Sequence, residues 1–274
     1  MFPVRNFSDP NYLKNQQYNS ADNLNARIRI HKLFSTNPKG VYKWFFDHAL
    51  ANIPQHASIL EVGSGSGELW YVCKDDVPAG WDVTLSDFAI GILNDAKKKL
   101  EHVLFKPEFR EIDVQNIPYP DESFDAVFAN FMLYHVPDRQ KAIAEIRRVL
   151  KPDGVVLAAT LGKAHMQEYH HLISRILLDD NLQHDIIAHA FGLENGEAQL
   201  RQSFSQVELI LYEDSLRVTE VEPMVDYFLS LGLPTITSEH VEKFTQAVRD
   251  IIQTNGAFEI YKHTGMFIGR GYAR

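Results

Sequence analysis

Ile59-Leu60-Glu61-Val62-Gly63-Ser64-Gly65-Ser66-Gly67-Glu68-Leu69-Trp70 decides how the rest of the chain is read. An apolar run reaches an acid, Glu61, and three glycines follow at alternate positions: Gly63, Gly65 and Gly67. A buried strand that ends in a glycine turn and opens a helix is how α/β proteins make room for a nucleotide-like ligand. Glycine lets the backbone take conformations closed to other residues and approach a ligand with no Cβ in the way. Dinucleotide-binding folds space their glycines G-x-G-x-x-G, so that a pyrophosphate rests on helix N–H groups. Here the pattern is E-x-G-x-G-x-G. A carboxylate at the strand end repels a pyrophosphate and suits a ligand that carries an ammonium and hydroxyls.

Outward from this turn the pattern alternates in type. Strands are expected over 57–62, 81–86, 109–112, 124–130 and 154–161, with helices over 68–74, 88–101 and 138–150. The last helix carries Ala142, Ile143, Ile146, Val149 and Leu150 on one face and stops at Lys151-Pro152-Asp153-Gly154. Continuous apolar strands separated by helices argue a parallel sheet covered on both faces. Between Ile112 and Phe124 there is room only for a loop or short turn, so one crossover helix is reduced.

Residues 1–23 carry no period and read as an irregular arm, followed by helical spacing over 24–31 and 40–52. Residues 163–203 are helical by period and rich in histidine. Strand character returns over 206–218 and again around 265–272, with helices over 221–231 and 238–254 between them. The expected fold is α/β: a Rossmann-like, doubly wound, mostly parallel seven-stranded sheet, with N-terminal helices and a helical insertion as lid. Its expected divisions are an arm with lid helices (1–54), a core (55–162), a helical cap (163–204) and a C-terminal part completing the sheet (205–274).

The 274 residues are 45% hydrophobic and 23% charged, ordinary values for a globular protein. The formal net charge is −9 and no basic stripe stands out; Lys97–Lys99 reads as the solvated end of a helix. Nucleic acid is therefore not an expected partner. The single cysteine, Cys73, excludes an intramolecular disulfide and fits a reducing compartment. No stretch approaches ~18 consecutive apolar residues, so the expectation is a cytoplasmic protein without a membrane partner.

Twenty residues past Gly67, the second strand ends in Leu85-Ser86-Asp87-Phe88. An acid at that offset holds a ribose by accepting from two hydroxyls; the competing reading of Asp87 is a helix N-cap. The third strand ends at Ile112-Asp113-Val114, where Asp113 can accept from an exocyclic amine and Val114 and Ile117 can wall an adenine. The fourth ends in Asn130-Phe131-Met132-Leu133-Tyr134-His135. S-adenosylmethionine (SAM), with its amino-acid head and sulfonium, is a ligand that suits such a row.

With these four motifs in order, the chain resembles the class I SAM-dependent methyltransferases, of the broad small-molecule group that includes the ubiquinone/menaquinone-type C-methyltransferases. The matching text runs from ILEVGSGSGELW through LSDF and IDVQNIPYPDESFDAVFAN to FMLYHVPDRQKAIAEIRRVLKPDGVVLAAT. The resemblance implies SAM contacts from Glu61, Gly63, Gly65 and Gly67 on the methionine side. It also puts Asp87 on the ribose, Phe88 beside the adenine, Asp113 and Val114 at the adenine edge, and Asn130 near the sulfonium. One departure is Asp153 in KPDG, where such proteins commonly have a second glycine. In such enzymes an N-terminal Tyr and Arg often close over the cofactor carboxylate, which makes Tyr18 and Arg27 candidates; a surface salt bridge is the other reading of Arg27.

Orientation of a nucleophile behind the methyl is the main demand of that chemistry. A general base matters only if the nucleophile must lose a proton. His135 is the candidate base and Tyr134 the second; the alternative is that His135 packs at the start of the next helix. His165, His170, His171, His184 and His189 match no metal-ligand spacing and read as solvated helix faces, with a place for one or two in the substrate pocket as the alternative, so no metal is expected. The expected reaction is methyl transfer to a small molecule, giving S-adenosylhomocysteine (SAH), by a monomer or homodimer. A protein or tRNA acceptor, a non-catalytic SAM-binding module and, least favoured, an NAD-dependent dehydrogenase are the alternatives.

Overall fold

In this computed structural model the described residues are 22–177, 185–232 and 235–273. Helices α1 (Asp22–Phe34) and α2 (Val41–Asn52) precede the sheet. Then follow β1 (His56–Val62), α3 (Glu68–Val72), β2 (Gly80–Asp87), α4 (Ile90–Lys99), β3 (Glu108–Glu111) and β4 (Phe124–Phe128). Helix α5 (Arg139–Val149) leads into β5 (Leu150–Leu161). Three helices come next, α6 (Gln167–Leu177), α7 (Asp185–Phe191) and α8 (Gly196–Leu200), then β6 (Gln206–Val218), α9 (Val221–Leu229), α10 (Ser238–Asn255) and β7 (Phe258–Arg270).

The seven strands form one sheet in the order β3-β2-β1-β4-β5-β7-β6. β3, β2, β1, β4 and β5 run parallel, and β7 is antiparallel to both β5 and β6. The strand order reverses between β1 and β4, so the carboxyl ends of β1, β2 and β4 border the crevice where open α/β sheets take ligands. No helix forms between β3 and β4, in line with the short text there.

Two apolar layers cover the sheet. Ile59, Trp70, Leu85, Phe128, Ala159 and Met266 pack with Phe45 and Phe46 of α2 on one face. Leu60, Val127, Val156 and Phe267 pack with Ile143 and Ile146 of α5 on the other. A third core lies apart from the parallel strands. There Ile30 of α1, Tyr169 of α6, Phe228 of α9 and Phe244 of α10 bury Leu216 of β6 and Ile260 of β7.

That third core exists because β6 and β7 are longer than the strands beside them. β7 pairs with β5 only over Thr264–Arg270, whereas its pairing with β6 continues to Phe258↔Val218. The far half of this hairpin therefore runs past the carboxyl edge of the parallel sheet and carries a cap of helices. A strand is expected only from about 265, but the ladder begins at Phe258. The inward positions read Phe258, Ile260, Lys262, Thr264, so a buried lysine breaks the apolar alternation on which a strand assignment depends. The 151–154 turn also differs from expectation. Register jumps from Phe124↔Leu150 to Ala126↔Val155, and the intervening residues form a bulge within β5.

Candidate functional site

The glycine turn is built by backbone geometry that only glycine adopts freely. Gly63, Gly65 and Gly67 have φ of 69°, 55° and 71°, in the left-handed region that penalises a Cβ. A Cβ on Gly63 would also stand 2.7 Å from the Cβ of Met132 in the loop after β4. Gly67 is the N-cap of α3, and Lys99 of α4 clamps that helix by pairing with Glu68 (2.5 Å) and donating to Ser66 Oγ (3.2 Å).

Glu61 sits at the base of the turn, only 2% exposed. Its two oxygens are held separately: the indole Nε1 of Trp70 donates to Oε2 at 2.5 Å, and Asn130 Nδ2 donates to Oε1 at 3.1 Å. Burial pushes the carboxyl up to about 7, the two donated hydrogen bonds oppose that rise, and the nearby Asp87 carboxylate adds to it. Asn130 orients its amide by this bond, which leaves its Oδ1 buried with no partner among the described residues; Ser64 Oγ is in the same condition. Buried polar atoms are rarely left so. Both orphans are in the segments that follow β1 and β4.

Asp87 ends β2. Its Oδ2 accepts from the backbone N–H of Gly65 and its Oδ1 from that of Ala89, each at 2.9 Å. Asp87 thus ties the glycine turn to the residue that precedes α4, whose N-cap is Ala89 rather than Asp87. Burial raises its pKa, against the effect of the backbone donors. Phe88 is 37% exposed at the rim. Asp113 is exposed and its Oδ1 accepts from the N–H of Gln115 at 2.9 Å, an Asx turn. Val114 is buried in the core behind it.

The structure therefore brings Glu61, Asn130 and Trp70 into one bonded group, and Gly65 and Asp87 into another. Tyr134 and His135 lie in the single 3-10 turn after β4, their rings 4.5 Å apart, with Tyr134 buried against the α5 face and His135 half-buried. Arg27 is elsewhere. Its guanidinium donates to the Ser230 carbonyl at 2.9 Å and to Ser230 Oγ at 3.3 Å, at the end of α9. Tyr18 lies outside the described residues. Among those residues, no group of three His, Cys, Asp or Glu side chains is placed to hold a metal ion, and no helix is long and apolar enough to cross a membrane.

Sequence reasoning missed Trp70, which holds Glu61, and two neighbours of the candidate site's segments, Phe131 and Tyr42. Phe131 takes φ of 54°, rare for an aromatic residue, and its N–H donates to Ala159 of β5 at 2.9 Å. Tyr42 of α2 has its hydroxyl pKa raised, first by burial and then by the Glu68 and Glu61 carboxylates. Only Trp70 had a usable signal, since a buried indole N–H needs an acceptor and the motif offers two acids, Glu61 and Glu68.

Residues 60–158 match the family described as "Methyltransferase domain". Demethylmenaquinone methyltransferase of Thermus thermophilus is 37% identical over 108 residues, which cover 39% of this chain and 48% of that protein. The ubiquinone/menaquinone biosynthesis C-methyltransferase UbiE of Rickettsia akari is 35% identical over 130 residues, covering 45% of this chain and 52% of that one. The chain thus spans about half the length of the curated relatives it matches. Among solved structures, phosphoethanolamine N-methyltransferase 2 of Haemonchus contortus in complex with SAM aligns with a TM-score of 0.60 at 17% identity. That alignment covers 98% of this chain and 61% of that one. Residues 60–158 are thus similar to methyltransferase domains, and the seven-stranded fold that carries them is shared with that solved methyltransferase.

Proposed function

We propose that this protein transfers a methyl group from SAM to a small molecule held between the sheet edge and the helical cap, releasing SAH. The observation that carries this reading is the Glu61–Trp70–Asn130 group, with its orphaned amide oxygen, beside a glycine turn tied to Asp87. SAM supplies a sulfonium-activated methyl. The protein's own residues then have three tasks.

Glu61 and Asn130 take the ammonium of the methionine part: the carboxylate supplies charge and the amide oxygen a second acceptor. Asp87 accepts from the ribose hydroxyls with the lone pairs its backbone donors leave free, while Phe88 and Val114 flank the adenine and Asp113 borders it. The three glycines let the main chain approach the ligand. The third task is orientation of the acceptor in line with the methyl while water is excluded, which accounts for roughly 7–11 kcal/mol of barrier lowering in well-oriented reactions. Tyr134 and His135, close to the methyl end, are the candidates for taking a proton where the nucleophile carries one. In this reading Tyr18 and Arg27 belong to the lid, Arg27 through its hold on Ser230. The divisions at 54, 162 and 204, a cytoplasmic location, a monomeric or dimeric state and the lack of nucleic-acid, membrane or metal partners belong to the same proposal.

Titration calorimetry with SAM and SAH tests it. The expected result is one site per chain, with Asp87→Ala weakening binding by about 10- to 100-fold, as the loss of charge-assisted hydrogen bonds does. No SAM binding by the wild type, with binding of NAD, would overturn the reading.

A further inference from the structure

Where β6 and β7 pass the edge of the parallel strands, Asp214 and Lys262 face each other across the ladder and are paired, both fully buried. The Asp214 carboxylate is saturated. Lys262 and Ser35 donate to its Oδ2, and the backbone N–H groups of Asn37 (2.9 Å) and Ser215 (2.8 Å) donate to its Oδ1. The pair is thus neutral as a unit and offers no free carboxylate.

A set of uncharged polar rings gathers beside it from four separate segments. His31 of α1 and His165 of the turn after β5 have ring centroids 6.3 Å apart. Tyr227 of α9 stands edge-on to His31 at 6.4 Å, and Tyr169 of α6 edge-on to Tyr227 at 5.0 Å. Thr264 Oγ1 is 3.3 Å from His165 Nδ1. Two polar atoms in this group are buried without a partner among the described residues: His31 Nδ1 and the hydroxyl of Tyr169, a residue that is 0% exposed. Burial and then Lys262 push the His31 pKa down to about 3, and burial lowers that of His165, so both imidazoles are neutral near pH 7. A neutral imidazole nitrogen accepts a hydrogen bond, and a phenol both donates and accepts.

The group lies toward the same edge and face of the sheet as Glu61. Ile59 and Met266 share the α2 face of the sheet. Glu61 and Thr264 lie two residues further toward the carboxyl edge on that same face, since side chains repeat every second residue along a strand. Only β4 and β5 separate β1 from β7. The polar group therefore continues the row that Glu61 and Asn130 begin.

Resting on the methyltransferase reading, we propose that His31 and Tyr169 form the recognition point for the methyl acceptor, and that this acceptor is a neutral hydroxyl compound rather than an amine. Its O–H donates to His31 Nδ1 and its oxygen accepts from the Tyr169 hydroxyl. With Asp214 saturated and Lys262 nearby, an ammonium group finds no free carboxylate within this group of described residues.

The test uses 2-naphthol, 2-methylnaphthalene and 2-naphthylmethylammonium, titrated by their fluorescence into the full chain with and without saturating SAH. The wild type is expected to bind 2-naphthol about tenfold more tightly than 2-methylnaphthalene, the scale of a satisfied buried hydrogen bond, and the cation more weakly than either. Tyr169→Phe removes one oxygen and His31→Phe one imidazole; each is expected to bring 2-naphthol and 2-methylnaphthalene to within about threefold of each other, with SAH affinity unchanged. Equal binding of those two probes by the wild type, or a preference that survives both substitutions, would overturn the proposal. A hydroxyl preference seen while SAH fails to bind would keep this pocket and sink the methyltransferase reading instead.

Discussion

The glycine turn and the cap cluster are two polar groups on one sheet edge, built in opposite ways. In the turn, Glu61, Gly65, Trp70 and Asp87 fall within 27 residues, and much of the geometry is backbone. In the cap, His31, His165, Asp214 and Lys262 meet from distant parts of the chain, and the contacts are side chain to side chain. The first can be recognised one segment at a time. The second exists only after α1, α6 and the β6–β7 hairpin have docked, so its groups owe their burial to tertiary structure alone. Local architecture suits a site that serves one cofactor; a site assembled from remote elements can change its chemistry by changing any of them.

Trp70 gives the largest expected separation between the regions. It is fully buried, stacks on Phe128 at 5.8 Å and holds Glu61. Trp70→Ala is expected to cost about 3–5 kcal/mol in chemical denaturation, through the cavity and the lost indole contacts. SAM binding should fall with it, because Glu61 loses the donor that orients it. Trp70→Phe keeps most of the packing and removes the N–H, so a loss of only about 1–2 kcal/mol, with SAM affinity still reduced, would assign the effect to that one hydrogen bond.

In the cap, the matching break is Lys262→Met. It leaves the buried Asp214 carboxylate without its cation, and removal of one partner from a buried pair costs about 3 kcal/mol. Adding Asp214→Leu to it should recover much of that loss. The cap variant is expected to keep SAM affinity near that of the wild type, which the Trp70 variants do not. Loss of SAM binding in Lys262→Met would mean that the two regions are one cooperative site.

The same contrast explains what could be read from the chain. Four strand ends with Glu61, Asp87, Asp113 and Asn130 were legible because strand periodicity and the glycine run place them without reference to anything remote. The β6–β7 extension was half legible: Gln206–Val218 reads as a strand, but Lys262 at an inward position hides its partner. The histidines at 165 and 170 were read as solvated helix faces. His165 is half-buried in the turn before α6, where Thr264 and His31 come from elsewhere to meet it. Arg27 was legible as a candidate but not its partner, since Ser230 is some two hundred residues away.

In the remaining prediction the two regions differ in sign. Glu61 has its pKa raised from an ordinary 4.5 to about 7 in the fold, so the folded state holds its proton more tightly than the unfolded chain. Its contribution is full below pH 4.5 and is lost as pH rises toward 7, with a slope near 1.4 kcal/mol per pH unit at most. His31 has its pKa lowered from 6.5 to about 3, so the unfolded chain holds that proton more tightly. Its contribution is full above pH 6.5 and is lost as pH falls toward 3, with a slope of the same limit and opposite sign. Denaturation midpoints measured from pH 4 to 8 should therefore separate the regions through two variants. Glu61→Gln removes the loss toward neutral pH, because the amide accepts from Trp70 without titrating. His31→Gln removes the loss toward acid and leaves the neutral side unchanged. Identical changes in the two profiles would show that neither group titrates as its surroundings dictate, whereas opposite changes would tie each slope to the polar group that causes it.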